Sequence, residues 1–247
     1  MSLYVYCLSD ELEAATIEGL TGVGGAAVRV LSLGGIAAVV SEFEDESIAV
    51  TSENVRAHNR VNSQVLAALT PLPFRFGTRV AESRLAEYVA ANEGSLVASL
   101  ARVRGCVEMS VKIRDGALKA KGKRQKAKEE SEEAAGEDAF EGSARGGRGT
   151  EFLLAKQREI LGDEASRLRA EELAAWLASR VAGAARESDV RVRPSESLVV
   201  RAAHLVERAR VEEYRERVRS LSEERRSLQF LTSGPWPPYS FSDIERR

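Results

Sequence analysis

The chain has 247 residues, which is long enough for one large or two small domains with buried cores. Its 36 lysines and arginines and 38 aspartates and glutamates give a formal net charge of −2, which argues against a protein built mainly to hold nucleic acid. The two cysteines suit a reducing cytosol rather than a disulfide framework, and we expect neither a signal peptide nor a membrane-spanning segment.

The first 103 residues predict the element order β-α-β-β-α-β. Strands are indicated by β-branched and aromatic runs, and helices by apolar residues at helical spacing behind a capping residue. In chain order the segments are LYVYCL as a strand, SDELEAATIEGL as a helix, AAVRVLSLGGIAAVVSEF as a hairpin, SENVRAHNRVNSQVLAAL as a helix and PLPFRF as a strand. A further helix over about 82–103 is expected to be interrupted near Gly94.

The second half repeats this order. GCVEMSVKIR alternates between an apolar face and a polar face, which is typical of a strand with one side in water. The later segments are a helix over about 150–185, DVRVR and SLVVRAAHLV as strands, VEEYRERVRSLSEE as a helix and SLQFLT as a strand. We therefore predict an α+β fold of two tandem ferredoxin-like (βαββαβ) units, each with an antiparallel sheet and helices on one face. The predicted domains are 1–103 and 104–247.

Residues 115–149 interrupt the second unit as a charged insertion. The run KAKGKRQKAK carries six positive charges, and an acidic run with seven negative charges follows it as far as Glu141. Almost no apolar residue is present, so the segment predicts a flexible surface loop. An arm that binds nucleic acid or a membrane is the alternative, and the neighbouring acids disfavour it.

The sequence contains no local pattern of catalytic residues. GVGGAA fits a dinucleotide fingerprint formally, but a helix precedes it and a strand follows, the reverse of what phosphate binding requires. The two histidines, His58 and His204, lie in apolar surroundings and are expected to be structural. No cysteine or histidine has metal-ligand spacing, and we expect neither a cofactor nor a metal.

Two aromatic motifs are candidates for an interaction surface or a clasp between the two units. PLPFRFGT places Arg75 between two phenylalanines, and GPWPPYSF opens the tail over residues 233–247. Fixed proline dihedrals lower the entropy cost of ordering the tail, so we predict that it docks on the body with Trp236 buried. The candidate residues are Phe74, Arg75, Phe76, Trp236, Pro237, Pro238, Tyr239 and Phe241.

These motifs carry a resemblance to a known family. HNRVNSQVL…PLPFRFGT, AAHLVERARVEEYRERV and LTSGPWPPYSF resemble, in this order, segments of the GvpF/GvpL family of gas vesicle proteins. LYVYCL at the start of the chain is similar as well. The chain departs from the family at Ser233 and in the longer, more charged insertion.

The resemblance implies a minor gas vesicle protein without enzymatic activity, located at gas vesicles in the cytoplasm. It would bind the apolar GvpA-type shell protein, and possibly other accessory gas vesicle proteins, during nucleation or as a shell component; neither nucleic acid nor membrane is an expected partner. The alternative is a small-molecule enzyme with its site in the cleft between the two units. Converging polar groups around a perturbed titratable residue would favour that alternative.

Overall fold

Two antiparallel sheets, one in each half of the chain, organise the fold. The computed structural model describes residues 2–43, 48–115, 164, 167–192, 200–242 and 244. No helix within these ranges is long and apolar enough to cross a membrane. The predicted insertion 115–149 lies outside the described residues, except for Asp115 at the end of a strand.

The first sheet is built from five strands. Its strands are β1 (Ser2–Ser9), β2 (Val28–Leu33), β3 (Ile36–Phe43), β4 (Leu72–Pro73) and β5 (Arg79–Ala81). Their order is β2-β3-β1-β4, with β5 also paired to β1, and all neighbours are antiparallel. The predicted hairpin is present: β2 pairs directly with β3, and Gly34 adopts φ +69° in the turn between them.

Helices α1 (Ser52–Ala68) and α2 (Glu82–Val103) cover opposite faces of this sheet. Val61 and Val65 of α1 pack with Tyr4 and Tyr6 of β1. The apolar stripe of α2 packs with the alternate β1 residues, Leu3 and Val5 among them. The prediction of helices on one face is therefore wrong for this sheet, and burial on both sides explains why nearly all of β1 is buried.

Three local predictions in the first half are wrong. SDELEAATIEGL forms only a short 3-10 turn, Ala14–Ile17, and Gly19 adopts φ +73° soon after it, which is incompatible with a continuing helix. Only Leu72–Pro73 of PLPFRF is a strand, and a turn follows in which Thr78 N donates to Arg75 O. Helix α2 continues through Gly94, since packing along its length offsets the roughly 1 kcal/mol cost of a helical glycine.

The second sheet has the strand order β7-β8-β6-β9. Its strands are β6 (Cys106–Asp115), β7 (Glu187–Val192), β8 (Val200–Glu207) and β9 (Leu228–Trp236), and its helices are α3 (167–181) and α4 (Val211–Glu224). Both helices pack on one face, where Leu177 and Tyr214 contact the apolar residues of β6. The predicted helix over 150–185 ends at 181, and its beginning lies outside the described residues.

The two halves share a core at their junction. Helix α2 leads into β6 through Gly105, which adopts φ +72°. Leu205 of β8 belongs to the same buried cluster as Leu96 and Leu100 of α2. The first half therefore covers one end of the face of the second sheet that does not pack against α3 and α4. The opposite end of that face is open.

Candidate functional site: the tail junction and the adjoining groove

The C-terminal tail begins inside a strand. Strand β9 runs on to Trp236, past the predicted end at Thr232, and pairs with β6 across a bulge. Gly234 sits in this bulge with φ +123°, and a Cβ there would lie 2.7 Å from the carbonyl oxygen of Glu108. Glycine is therefore required at this position.

The tail docks through different aromatic side chains from the one predicted. Phe241 is 5% exposed and joins the core that contains Leu100 and Leu205. Trp236 is 43% exposed, so the prediction of a buried tryptophan is wrong. It lies opposite Glu108 on the edge strand, and its indole N–H donates to Ser233 Oγ at 3.3 Å.

Hydrogen bonds attach the tail to both halves of the chain. The carboxylate of Glu108 accepts from Ser240 N at 2.7 Å and from Ser240 Oγ at 3.0 Å. Ser242 Oγ donates to Pro73 O at 3.0 Å, and Tyr88 OH donates to Ile244 O at 2.8 Å. The guanidinium of Arg102 donates to Phe241 O as well. The tail is thus tied to β4 and α2 of the first half and to β6 of the second.

A buried polar cluster surrounds His58 where the tail meets α1. Nδ1 of His58 lies 2.8 Å from Tyr4 OH, and Nε2 lies 3.1 Å from Tyr239 OH. The amide of Asn62, one helical turn on, donates to the Tyr239 hydroxyl at 3.2 Å and lies 3.1 Å from Nε2. An amide N–H₂ only donates, so Nε2 accepts and the proton of the neutral ring resides on Nδ1.

Burial keeps both imidazoles neutral. It lowers the pKa of His58 and that of His204 from 6.5 to about 4. Nδ1 of His204 lies 2.6 Å from Tyr214 OH, beneath α4 and remote from the tail. Burial also raises the pKa of Glu108, against the hydrogen bonds from Ser240. Each of the three groups has a structural partner in the fold.

The residues of the PLPFRFGT motif separate in the structure. Phe74 is buried in the core that α2 covers. The ring of Phe76 packs edge-on against His58, with centroids 5.8 Å apart, so this motif and Tyr239 meet around one imidazole. Arg75 lies at the surface of the turn. Sequence reasoning missed Asn62 and Glu108, although the spacing of His58 and Asn62 within HNRVN places both on one side of a helix.

An open groove lies beside the tail on the uncovered end of the second sheet. Its volume is about 360 Å³, and Trp236, Pro237, Ser110, Lys112 and Arg201 are among its lining residues. Within the described parts of the chain, no three His, Cys, Asp or Glu side chains are placed to hold a metal ion. The groove offers cations, hydroxyls and an indole, and it is also lined by Glu108, whose pKa is raised by burial and whose two carboxylate oxygens accept hydrogen bonds from Ser240.

Known proteins resemble this chain along nearly its whole length. The model of the family described as "Gas vesicle synthesis protein GvpL/GvpF" matches residues 2–243. Gas vesicle protein L of a Streptomyces species is 27% identical, over 98% of this chain and 92% of that protein. Gas vesicle protein L2 of Halobacterium salinarum is also 27% identical, over 97% of this chain and 90% of that protein.

Two solved structures share the fold. The crystal structure of the gas vesicle protein GvpF from Anabaena matches with a TM-score of 0.72 and 21% identity, over 99% of this chain and 97% of that one. GvpF from Microcystis aeruginosa matches with a TM-score of 0.71 and 19% identity, over 98% and 99%. Both structures match almost the whole chain, so they support the architecture of helices and two antiparallel sheets described above.

Proposed function

Because this chain belongs to the GvpL/GvpF family of gas vesicle synthesis proteins, we propose that it binds the apolar gas vesicle shell protein and supports nucleation and assembly of the shell. Family membership itself implies a role in gas vesicle formation. The relatives are gas vesicle proteins and not enzymes, so the alternative of a small-molecule enzyme is set aside. The proposed location is the gas vesicle and the cytoplasm around it. The proposed tandem units are ferredoxin-like in strand order, with a 3-10 turn in place of the first helix of the first unit.

One observation supports a contact surface for the proposed partner. Leu231 and Trp236 are 47% and 43% exposed, and both lie on β9, the edge strand of the second sheet. Their cross-strand partners on β6 are Lys112 and Glu108, four residues apart, so both side chains project from the same face. An edge strand beside exposed apolar side chains accepts an extended apolar segment by strand addition.

The other candidate residues have a different role in this proposal. Phe74, Phe76, Pro237, Pro238, Tyr239 and Phe241 form the clasp that holds the two halves in place, and Arg75 belongs to the turn beside it. The clasp fixes the position of β9 relative to the first half. Binding then depends on it indirectly.

The test is recovery of shell protein with the tagged chain from cells that assemble vesicles. We expect the double variant Leu231→Ala/Trp236→Ala to recover at least about fivefold less shell protein than wild type, since tryptophan is among the residues that most often dominate such contacts and Leu231 adds apolar area on the same face. Val97→Ala/Leu168→Ala is the matched control, because both side chains are exposed and apolar but distant in sequence from β9. Equal recovery by both double variants would contradict the proposed surface.

A second readout separates the two forms of the proposal. The chain is sought in intact vesicles after washing with concentrated salt. Retention indicates a permanent shell component, and complete removal indicates an assembly chaperone. Absence of the shell protein from every recovered sample contradicts both.

A further inference from the structure

A row of cations crosses the open face of the second sheet. Lys112 of β6 lies directly opposite Arg201 of β8, and Arg201 lies directly opposite Arg191 of β7. Directly opposed residues project from the same face, with Cβ atoms about 5 Å apart. Arg114, two residues beyond Lys112, projects from that face too.

Acidic partners for this row are scarce within the described part of the chain. Arg191 is paired with Asp189, with Nη2 2.8 Å from Oδ2. Lys112 and Arg201 form no ion pair with any described residue, whereas arginines elsewhere on the surface, such as Arg104, do. Glu108 lies on the same face, but Ser240 occupies its carboxylate oxygens.

Like charges placed directly opposite each other on a sheet destabilise it. The row therefore carries an unfavourable interaction that a bound anion would relieve. Arg114 adds to it, since its Nε is buried and has no acceptor among the described residues. The cations thus point to a ligand that brings negative charge.

The groove supplies the rest of a binding surface. Lys112 and Arg201 line it on the sheet side, Ser110 and Ala203 lie on the neighbouring row, and Trp236 and Pro237 lie on the tail side. The one acidic residue in the lining, Glu108, has both carboxylate oxygens hydrogen-bonded to Ser240. It is open rather than enclosed, which suits a segment of chain laid across it. An indole beside two cations suits a ligand that carries both carboxylates and apolar groups.

We propose that this groove binds an acidic segment of a partner protein, with carboxylates between Lys112 and Arg201 and an apolar side chain against Trp236. Nucleic acid fits less well. Single-stranded nucleic acid is held by several aromatic rings that stack successive bases, whereas the tail side of this groove presents one exposed indole. The inference goes beyond binding of the shell protein, because any partner with such a segment satisfies it.

The experiment measures fluorescence anisotropy with the full chain and a labelled peptide of about twelve residues that alternates glutamate and alanine around one leucine. We expect saturable binding that weakens as salt rises. The double variant Lys112→Gln/Arg201→Gln should bind on the order of tenfold more weakly. Arg169→Gln/Arg226→Gln removes the same charge from exposed positions in α3 and before β9, and should bind as wild type does.

The melting temperature of the Lys112→Gln/Arg201→Gln variant shows whether weaker peptide binding reflects the loss of a binding site or the loss of folded structure. Removing opposed like charges should leave the melting temperature of Lys112→Gln/Arg201→Gln unchanged or raise it, so the variant remains folded. A lowered melting temperature, or equal loss of binding in both double variants, would overturn the proposal.

Two further probes decide the identity of the occupant. The glutamine version of the peptide should not bind, and an oligothymidine that binds more tightly than the acidic peptide would overturn the assignment in favour of nucleic acid. A chain lacking residues 119–147 should bind the peptide as the full chain does. Binding about tenfold tighter after that deletion would overturn it by making the chain's own acidic run the occupant.

Discussion

His58 shows how one buried side chain can hold several elements together. Its two ring nitrogens reach Tyr4 on β1 and Tyr239 in the tail, and Asn62 fixes which nitrogen accepts. A protonated ring would lose the acceptor that Nε2 provides. The arrangement therefore depends on a neutral imidazole, which burial ensures at neutral pH.

This dependence predicts a loss of stability in acid. The folded pKa of His58 is lowered to about 4 from 6.5, so the unfolded chain binds more protons and stability falls as pH drops from 6.5 to 4. The contribution reaches at most about 3 kcal/mol. Urea unfolding of wild type and His58→Gln at pH 7 and pH 4.5 measures it, and the variant should lose less stability between the two values.

His204 and Glu108 remain in both proteins, so their contributions cancel in this comparison. The raised pKa of Glu108 acts in the opposite direction, because protonation of its buried carboxyl in acid favours the folded state. Parallel losses in wild type and His58→Gln would show that His58 is not the responsible group. A folded His58→Gln protein should still support vesicle formation.

Among the elements, those with a regular apolar pattern could be predicted from the sequence. The apolar residues that alternate along β6 pack against α3 and α4, as predicted. Val61 and Val65 lie on the buried side of α1, as expected. The segment before β2 is predicted wrongly, because its capping residue, its acidic residues and the spacing of Leu12, Ala15 and Leu20 all suit a helix, whereas the chain forms only a 3-10 turn there. Strand β8 is apolar on both faces because the other half of the chain covers one of them.

The tail shows a second limit of sequence reasoning. An extended backbone alternates its side chains, so the sequence indicates that Trp236 and Tyr239 need not face the same way. Which of them faces the body depends on the register between β9 and β6, including the bulge at Gly234. That register is set by contacts between distant segments. The cluster of His58, Asn62 and Tyr239 depends on it as well.

The sequence predicts that Trp236 is the main stabilising residue of the tail, whereas the structure predicts that Phe241 is. Phe241→Ala should lower the free energy of unfolding by about 3–5 kcal/mol, because the ring is buried in the shared core. Trp236→Ala should cost less, about 1–2 kcal/mol, because 43% of this residue stays exposed whereas Phe241 is almost fully buried. Chemical denaturation of the two variants compares them, and a larger effect at Trp236 would contradict the docking described above.

At the scale of the whole molecule, the core comes from the two sheets and their helices. The charged stretch between β6 and α3 has almost no apolar side chain to contribute to it. Deleting residues 119–147 and joining the ends with a short Gly/Ser linker should therefore change the free energy of unfolding by less than about 2 kcal/mol. Thermal unfolding of the shortened chain tests this, and a greater loss would mean that the segment is packed.

The late position of the docked tail in the chain has a consequence for synthesis on the ribosome. Residues 237–244 are translated after every strand and helix that they contact, so both sheets emerge before the segment that joins them. A ribosome that stalls before codon 237 releases a chain whose Leu205 and Leu100 lack the covering ring of Phe241. Such a product exposes apolar surface of the kind that chaperones and proteases recognise. The shared core of the two halves is therefore complete only after residue 241 has been added.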